Sequence, residues 1–324
     1  MEFKLGSYRI QIAKEYKIDG TMPRIYNAEG KLLESYFIKN RHSRHAPYGN
    51  EGKYFFWDRY NYGLDTHFYG PESMTQKLGN PLVKYGMLTE SRTIVPQDYQ
   101  IFHKHKGLEK EFRYIFTYDD QILNEVENAR FYPICASVWY GRGNQFEWDA
   151  DAYLKKSRNV SIVSSAKRVC HLHNVRIELS QYCKRNHLAD TFGTFDGGSN
   201  CLIDESLRDY RYSIIIENDI SDYFFTEKIT NCFAAQTIPI YLGARRIDQY
   251  FNADGIITVT EKQLTDIESV LKECTKEAYE AKLPAVLDNY NRAREYVNMQ
   301  DYLYEKYLTE DVHSSGLRRG ETGV

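Results

Sequence analysis

Two patterns of hydrophobic and polar positions divide this chain of 324 residues near its middle. In the first half, short apolar runs are separated by long stretches rich in aromatic and polar residues, which predicts strands joined by loops. In the second half, apolar strands alternate with segments whose apolar residues recur at helical spacing. This alternation predicts a parallel sheet covered by helices.

The predicted elements follow from these runs. Strands are predicted over 8–12, 67–69, 82–88, 114–116, 134–139, 160–163, 188–192, 211–216, 238–242 and 256–259. Helices are predicted over 175–182, 227–235 and 264–274, and a long helical tail over 279–307. The polar stretch GRGNQFEWDA after Tyr140 marks the boundary between domains at 1–150 and 151–310, and the polar segment 311–324 is predicted to be disordered.

Composition narrows the function classes. A net charge of −3 provides no basic field for nucleic acid. Six cysteines occur without a C-x-x-C pair, which predicts free thiols in a reducing compartment. No signal peptide and no run long enough to span a bilayer is present. We therefore expect a cytoplasmic protein, and work on a lipid-linked substrate at the inner face of the membrane stays open.

The segment 210–243 contains the strongest functional pattern. An apolar strand ends at Glu217-Asn218, a helix opens with Thr226-Glu227-Lys228, and a second apolar strand follows at 238–242. Ligands of open parallel sheets bind beyond the carboxyl ends of the strands, where helix N-termini favour anions. The pattern predicts a site for a nucleotide phosphate.

This segment resembles the signature of the α-1,3/4-fucosyltransferase family, in which Glu-Asn, Thr-Glu-Lys and an Ile-Pro strand ending in Gly follow in order. Upstream, Arg176 in NVRIELSQYC and the run ADTFG at 189–193 resemble the family's arginine-headed helix and following strand. Met87 to Ser91 resembles its short strand ending in Glu-Ser. The resemblance implies an α/β fold of GT-B architecture: two Rossmann-like domains face across a cleft, and the last helix crosses back to the first domain.

The resemblance also implies a reaction. L-Fucose would move from GDP-fucose to a hydroxyl of a galactose- or N-acetylglucosamine-containing glycan, with inversion at the sugar carbon. The partners would be a GDP-sugar and a glycan or lipid-linked oligosaccharide acceptor, as in a bacterial enzyme of surface carbohydrate synthesis. No nucleic acid, metal or cofactor besides the donor substrate is expected.

Roles follow residue by residue from the match. Glu90 corresponds to the base that takes the proton of the acceptor hydroxyl. Arg176 and Lys228 would hold the departing diphosphate, and Glu227 would bind the ribose hydroxyls. Asn218 would contact the pyranose or a phosphate.

Two tyrosines, Tyr210 and Tyr223, are predicted to contact the base or the sugar, and packing in the protein interior is the alternative for Tyr210. The family usually carries a tyrosine three residues before the signature glutamate, and this chain has Phe224 there. This departure keeps a different nucleotide-sugar donor open. A catalytically silent nucleotide- or sugar-binding protein stays open as well, as does a metal-dependent GT-A enzyme built on the D-x-D of Asp149 and Asp151.

Overall fold

The computed structural model describes residues 2–5, 8–11, 30–41 and 52–309. At the amino terminus, β1 (Glu2–Leu5) and β2 (Tyr8–Gln11) form an antiparallel pair. The remaining described strands form two parallel sheets, one in each half of the chain. The predicted tail 311–324 lies outside the described residues.

Six parallel strands form the first sheet, in the order β4-β3-β5-β6-β7-β8: they are β3 (Glu34–Lys39), β4 (Phe55–Asp58), β5 (Thr66–Tyr69), β6 (Val83–Met87), β7 (Tyr114–Thr117) and β8 (Ala129–Phe131). Aromatic rings pack across neighbouring strands, with Phe68 4.7 Å from Tyr85 and Tyr85 5.6 Å from Phe116 between ring centroids. Helices α1 (Ile101–Lys104) and α2 (Asp120–Glu125) lie in the connections.

Five parallel strands form the second sheet, in the order β10-β9-β11-β12-β13: they are β9 (Arg158–Val163), β10 (Asp190–Phe192), β11 (Tyr210–Ile216), β12 (Ile238–Leu242) and β13 (Ile257–Thr258). Along the chain, this order is 2-1-3-4-5, a doubly wound sheet whose direction of winding reverses between β9 and β11. All five residues of β12 are buried because helices cover both faces of the sheet.

Helices connect and cover these strands. They are α3 (His171–Arg185), α4 (Ile203–Leu207), α5 (Glu227–Ala234), α6 (Glu261–Leu264), α7 (Ile267–Lys272), α8 (Lys276–Ala281), α9 (Leu283–Ala293) and α10 (Met299–Leu303). Among the helices of the described ranges, none has both the length and the apolarity that a membrane crossing requires.

The chain returns to the first domain at α10. Tyr132 donates its hydroxyl to Met299 O at 2.6 Å, and Lys53 N donates to the Asp301 carboxylate at 2.7 Å. The structure thus has two parallel α/β domains and a carboxyl-terminal helix that crosses back, which confirms the predicted GT-B arrangement. The predicted boundary at residue 150 falls between β8 and β9.

Three predicted elements are wrong. The run 134–139 is not a strand: a short helical turn, Ile134–Ala136, follows Pro133, and the chain then passes between the two domains. Ile134, Ala136 and Val138 are buried there by contacts from both domains, and Val138 N donates to Tyr296 O at 3.0 Å. Periodicity detects burial, and it cannot tell which element buries a residue.

The other two differences are interrupted helices. The predicted helix 264–274 is divided between α6 and α7, and the predicted tail 279–307 is divided among α8, α9 and α10. Pro284 starts α9 because proline fits the first helical turn and no later position. Asn298 accepts hydrogen bonds from two backbone N–H groups at the start of α10 and so ends the preceding turn. Strands β3, β4 and β8 were not predicted.

Candidate active site

A buried carboxylate organises the carboxyl edge of the second sheet. Glu217 follows β11 and is fully buried. It accepts hydrogen bonds from Thr226 N at 2.9 Å, from the Thr226 hydroxyl at 2.8 Å and from Lys228 Nζ at 3.2 Å. Thr226 also caps α5, since its Oγ1 accepts from Lys228 N at 3.3 Å. A buried charge is tolerated when it is paired and hydrogen-bonded, as here.

Lys228 lies between two carboxylates. Its Nζ is 3.2 Å from Glu217 and 3.5 Å from Glu227, and 23% of its side chain is exposed. Burial alone lowers the pKa of Lys228, but the negative charges of Glu217 and Glu227 outweigh burial and raise its pKa above the usual value. The ammonium is therefore charged at neutral pH and held at the start of α5.

Arg176 lies on α3, the helix that follows β9, and is 8% exposed. Its Nη2 donates to Ile216 O and, at 3.1 Å, to Asn218 Oδ1. Burial lowers the pKa of Arg176 and Glu217 acts in the opposite direction, yet a guanidinium stays protonated at neutral pH. Its buried Nε has no hydrogen-bond partner among the described residues, so the protein leaves this donor unsatisfied.

His173 orients the Asn218 amide. Val169 N donates to His173 Nδ1 at 3.1 Å, so the proton of the neutral ring lies on Nε2, which is 3.0 Å from Asn218 Oδ1. Asn218 Oδ1 therefore accepts from both His173 and Arg176. In the sequence, Cys170-His171-Leu172-His173 resembles a metal-ligand cluster, and only the structure identifies His173 as a support for Asn218.

A cavity of about 1180 Å³ opens at this edge. Arg176, Glu227 and Lys228 all line it, together with the carboxyl half of β11 and the linker between the domains. The cavity begins where the winding of the sheet reverses, the position at which doubly wound sheets bind ligands. The structure thus brings together three predicted donor-site residues from two separate helices, with Asn218 bonded to one of them.

Glu90 lies at the carboxyl edge of the first sheet, after β6. Ser91 N donates to its Oε1 at 2.8 Å, and Tyr99 donates its hydroxyl to its backbone carbonyl. Cys135 contacts the residue that precedes Glu90: its Sγ donates to Thr89 O at 2.9 Å. Burial, followed by the charges of Glu90 and Glu227, raises the pKa of this thiol well above its usual value. Both carboxylates therefore lie close enough to Cys135 to act on its thiol, although Glu90 does not line the cavity.

The two predicted tyrosine contacts are not at the cavity. Tyr210 lies at the amino end of β11, roughly 20 Å from its carboxyl end by the rise per residue of a strand. Its hydroxyl donates to Asp190 at 2.8 Å and accepts from Arg158 at 3.0 Å. Tyr223 packs its ring 5.9 Å from that of Phe131, in the first domain. The sequence could not show this, because both tyrosines are near the motif along the chain but away from the cavity in the folded protein.

The position of Phe224 accounts for a phenylalanine where the family usually has a tyrosine. It is 1% exposed, and its ring lies 4.6 Å from the ring of Tyr118 in the first domain. The side chain three residues before Glu227 thus points into the contact between the domains. Gly243, which ends the motif, is required by space: a Cβ there would lie 2.6 Å from Glu217 Cγ and 2.4 Å from the Tyr241 hydroxyl.

The contacts of Asp149, the first residue of the D-x-D pair, stabilise the local structure. Asp149 accepts from Asp151 N at 3.0 Å and forms an ion pair with Lys155. Within residues 30–41 and 52–309, no group of three or more His, Cys, Asp or Glu side chains is arranged to hold a metal ion.

The comparisons with known proteins agree with the predicted resemblance. Residues 153–282 match the family model described as "Glycosyltransferase family 10 (fucosyltransferase) C-term". A putative fucosyltransferase-like protein of Arabidopsis thaliana is 22% identical over 174 residues, which are 47% of this chain and 34% of that protein. The match thus spans about a third of the length of this relative. The resemblance to fucosyltransferases is confirmed.

Similar solved structures include an α1,3-fucosyltransferase with GDP, at 13% identity and a TM-score of 0.49, covering 89% of this chain and 94% of that one. An α1,3-fucosyltransferase with GDP-fucose matches at 14% identity and a TM-score of 0.47, covering 85% and 91%. Sucrose-phosphate synthase from Thermosynechococcus elongatus matches at 10% identity and a TM-score of 0.49, covering 79% and 75%.

Proposed function

We propose that this protein is an inverting glycosyltransferase that moves L-fucose from GDP-fucose to a hydroxyl of a galactose- or N-acetylglucosamine-containing glycan. The observation that carries the proposal is the convergence of Arg176, Glu227 and Lys228 on one cavity at the point where the second sheet reverses its winding. The match of residues 153–282 to a fucosyltransferase domain supports the choice of donor, because these residues include the whole phosphate-binding edge.

The two cations hold the diphosphate. The Lys228 ammonium is kept charged by Glu217 and Glu227, and the unpartnered Nε of Arg176 can donate to a phosphate oxygen. As the bond between the fucose anomeric carbon and the β-phosphate oxygen breaks, its electron pair goes to the phosphate. The fixed positive charges stabilise that developing charge without reorganisation, so a divalent metal is not required for this step.

Neighbouring groups orient the rest of the donor. Glu227 lines the cavity beside Lys228, and a carboxylate there can accept hydrogen bonds from both ribose hydroxyls. Asn218 directs its oxygen at Arg176 and His173, which leaves its Nδ2 to donate to a phosphate or pyranose oxygen. Both side chains are fixed by protein contacts before the donor binds, which lowers the entropic cost of ordering them.

Glu90 supplies the base. It follows a buried strand of the first domain, and its backbone is held by Tyr99. The carboxylate removes the proton of the acceptor hydroxyl while that oxygen forms a bond to the anomeric carbon on the face opposite the leaving GDP. The products are the fucosylated glycan, GDP and protonated Glu90, which releases its proton to water. Attack on the opposite face inverts the configuration.

The affinity for GDP tests whether the Lys228 ammonium holds the diphosphate. Isothermal titration should give a Kd for the wild type, and Lys228→Gln should raise that Kd at least tenfold, because a charge-assisted hydrogen bond contributes about 1.5–3 kcal/mol. The matched control is Lys276→Gln, which removes an exposed ammonium paired with Glu280 on α8. Equal affinities of the Lys228 variant and wild type would contradict this assignment.

Transfer assays test the proposed reaction against two alternatives, a different sugar donor and binding without catalysis. We expect GDP release from GDP-fucose in the presence of a glycan acceptor, the same rate with a chelator present, and an inverted anomeric configuration by NMR. Phe224 keeps a different sugar donor as the second candidate, so GDP-mannose and UDP- and dTDP-sugars belong in the panel. Faster turnover with one of them would replace fucose as the donor sugar. Nucleotide binding without transfer or donor hydrolysis would favour the silent binding protein.

The first domain is the proposed acceptor side. Two of its segments are candidates for choosing the acceptor: residues 41–53, which lie mostly outside the described residues, and residues 61–75, which are described and include β5. The carboxyl edge of the first sheet is polar: Arg41 pairs with Asp98 at 2.8 Å, and Arg92 pairs with Asp119 at 2.6 Å. A glycan, free or linked to a lipid at a membrane surface, would lie against this edge.

A further inference from the structure

Asn231 is buried in the wall of the donor cavity with half of its amide unused. It is 1% exposed and belongs to the residues that line the cavity. Its Oδ1 accepts from Trp139 N at 2.7 Å and from Tyr140 N at 2.9 Å. Its Nδ2 has no hydrogen-bond partner among the described residues. A buried amide nitrogen without an acceptor is unfavourable, so a ligand that supplied one would be favoured.

The orientation of this amide is set by its neighbours. Two backbone N–H groups converge on Oδ1, and the flipped amide would place a donor against both of them. The nitrogen is therefore confined to the opposite side of the amide. Thr230, the preceding residue, donates its hydroxyl to Ala136 O at 2.9 Å, so α5 is fixed to the linker at two successive positions.

The position of Asn231 along α5 indicates which part of the donor it meets. It lies four residues after Glu227, on the same face of the helix and about 6 Å further from the helix start. With the diphosphate at Arg176 and Lys228 and the ribose at Glu227, the nucleoside extends along the cavity toward Trp139 and Tyr140. The cavity volume of about 1180 Å³ leaves room for it.

We propose that Asn231 is a nucleoside-binding residue: its Nδ2 donates to an acceptor atom of the base or ribose, while its Oδ1 holds the linker between the domains. This inference rests on the proposed function and adds a contact that the family resemblance did not suggest. One side chain would then both bind the nucleotide and hold the linker between the domains in position.

The variant Asn231→Asp isolates the nitrogen. An aspartate keeps an oxygen acceptor for Trp139 N and Tyr140 N and replaces only Nδ2, so the linker contact is retained. We expect its Kd for GDP to rise roughly tenfold, the value of one hydrogen bond to a ligand. The matched control is Asn289→Asp, because Asn289 is also fully buried and its amide pairs with Asn252, away from the cavity. The control should bind GDP within about twofold of wild type.

Guanosine separates a lost donor from an added charge, because it carries no phosphate that a carboxylate could repel. If a direct hydrogen bond to the nucleoside is missing, Asn231→Asp should weaken the binding of guanosine by about the same factor, roughly tenfold, as the binding of GDP. A deficit that is absent with guanosine, or an affinity for GDP equal to wild type, overturns the inference. Wild-type protein that binds no GDP would instead overturn the proposed function.

A structure of the wild-type protein with GDP provides the second measurement, and it holds even if the aspartate variant does not fold. We expect Asn231 Nδ2 within hydrogen-bonding distance of an oxygen or nitrogen of the nucleoside. A bound GDP whose nucleoside lies more than about 4 Å from this nitrogen, beyond the hydrogen-bonding range, would refute the assignment.

Discussion

The carboxyl edges of the two sheets face each other, and they are built differently. The edge of the second sheet takes its charged groups from one segment of the crossover between β11 and β12, residues 217–228, joined by Arg176 from α3. The edge of the first sheet gathers Glu90, Arg92, Tyr99 and Asp119 from two connections, β6 to β7 and β7 to β8. In the second domain, the cations line an open cavity. In the first, Arg92 is engaged by Asp119 through two hydrogen bonds.

This difference suits the edge of the second sheet to binding a ligand and the edge of the first sheet to positioning side chains. Charges that line a cavity are suited to a charged ligand even where, as at Lys228, they also pair with carboxylates. Charges paired away from the cavity hold a loop in place. On the first edge, Arg92 lies 4.6 Å over the Tyr99 ring, and Tyr99 donates to Glu90 O. Because that hydrogen is used, Tyr118, 3.1 Å away, is the donor to the Tyr99 oxygen. Phe224 packs on Tyr118, so Tyr118 links the segment before α5 to Tyr99 and, through it, to Glu90.

The largest expected effect is on Glu90. Replacement by glutamine keeps the size and removes the proposed base, so kcat should fall by about 10²–10⁴ while the Kd for GDP stays near the wild-type value. Steady-state kinetics with GDP titration measures both. Glu111→Gln is the control, because Glu111 pairs with Lys84 on the surface. Near-normal turnover of the Glu90 variant would contradict the assignment of Glu90 as the base.

The next effect concerns the buried carboxylate of the second edge. Glu217→Gln places an amide beside the Lys228 ammonium and breaks a buried pair, which should lower the free energy of unfolding by about 3–5 kcal/mol. It should also weaken GDP binding, because Lys228 loses its position. Denaturant unfolding measures the stability. Glu268→Gln, which removes only an exposed bond to the Tyr182 hydroxyl, should change stability by less than about 0.5 kcal/mol.

A third prediction concerns acid stability, which should depend on the first domain. Burial lowers the pKa of His67 to about 4, against an ordinary value of 6.5. The unfolded chain thus binds the proton more readily, and stability falls as pH drops from about 6.5 toward 4. Between pH 7 and pH 5, this loss amounts to about 2 kcal/mol.

His67→Phe tests the assignment, because it removes the titrating ring nitrogen and keeps a ring against Phe37. Its free energy of unfolding should fall less than that of wild type between pH 7 and pH 5, measured by denaturant titration. His171→Gln, which replaces an exposed histidine of the second domain, should leave the wild-type loss intact. An unchanged pH dependence in the His67 variant would contradict the prediction.

The smallest effect tests the shared contact between the edges. Tyr118→Phe removes the hydrogen bond to Tyr99 and keeps the ring against Phe224. We expect kcat to fall about fivefold, equivalent to ~1 kcal/mol for one hydrogen bond, with an unchanged Kd for GDP. Tyr212→Phe is the control, since it loses a similar bond to Thr275 O away from Glu90. Equal kcat values for these two variants would mean that Tyr118 stabilises the fold only.

Sequence predicted the second domain better than the first for a physical reason. Its central strands β11 and β12 are apolar runs buried on both faces, and β12 has the predicted bounds. In the first domain, β3 contains Glu34 and Lys39 at its ends and β4 contains Asp58, so neither reads as a continuous apolar run. The strand predicted over 134–139 failed because burial between two domains resembles burial in a sheet.

The sequence by itself determined the alternation of strands and helices in the second domain and the grouping of Arg176, Glu227 and Lys228 at one sheet edge, because chain direction places carboxyl ends and helix starts together. Only the tertiary structure decided that Glu217 is buried beneath Lys228, that His173 orients Asn218, that Asn231 lines the cavity and that Tyr210 and Tyr223 face elsewhere. These relations depend on contacts between side chains from separate elements, and no local pattern encodes the direction in which a side chain points.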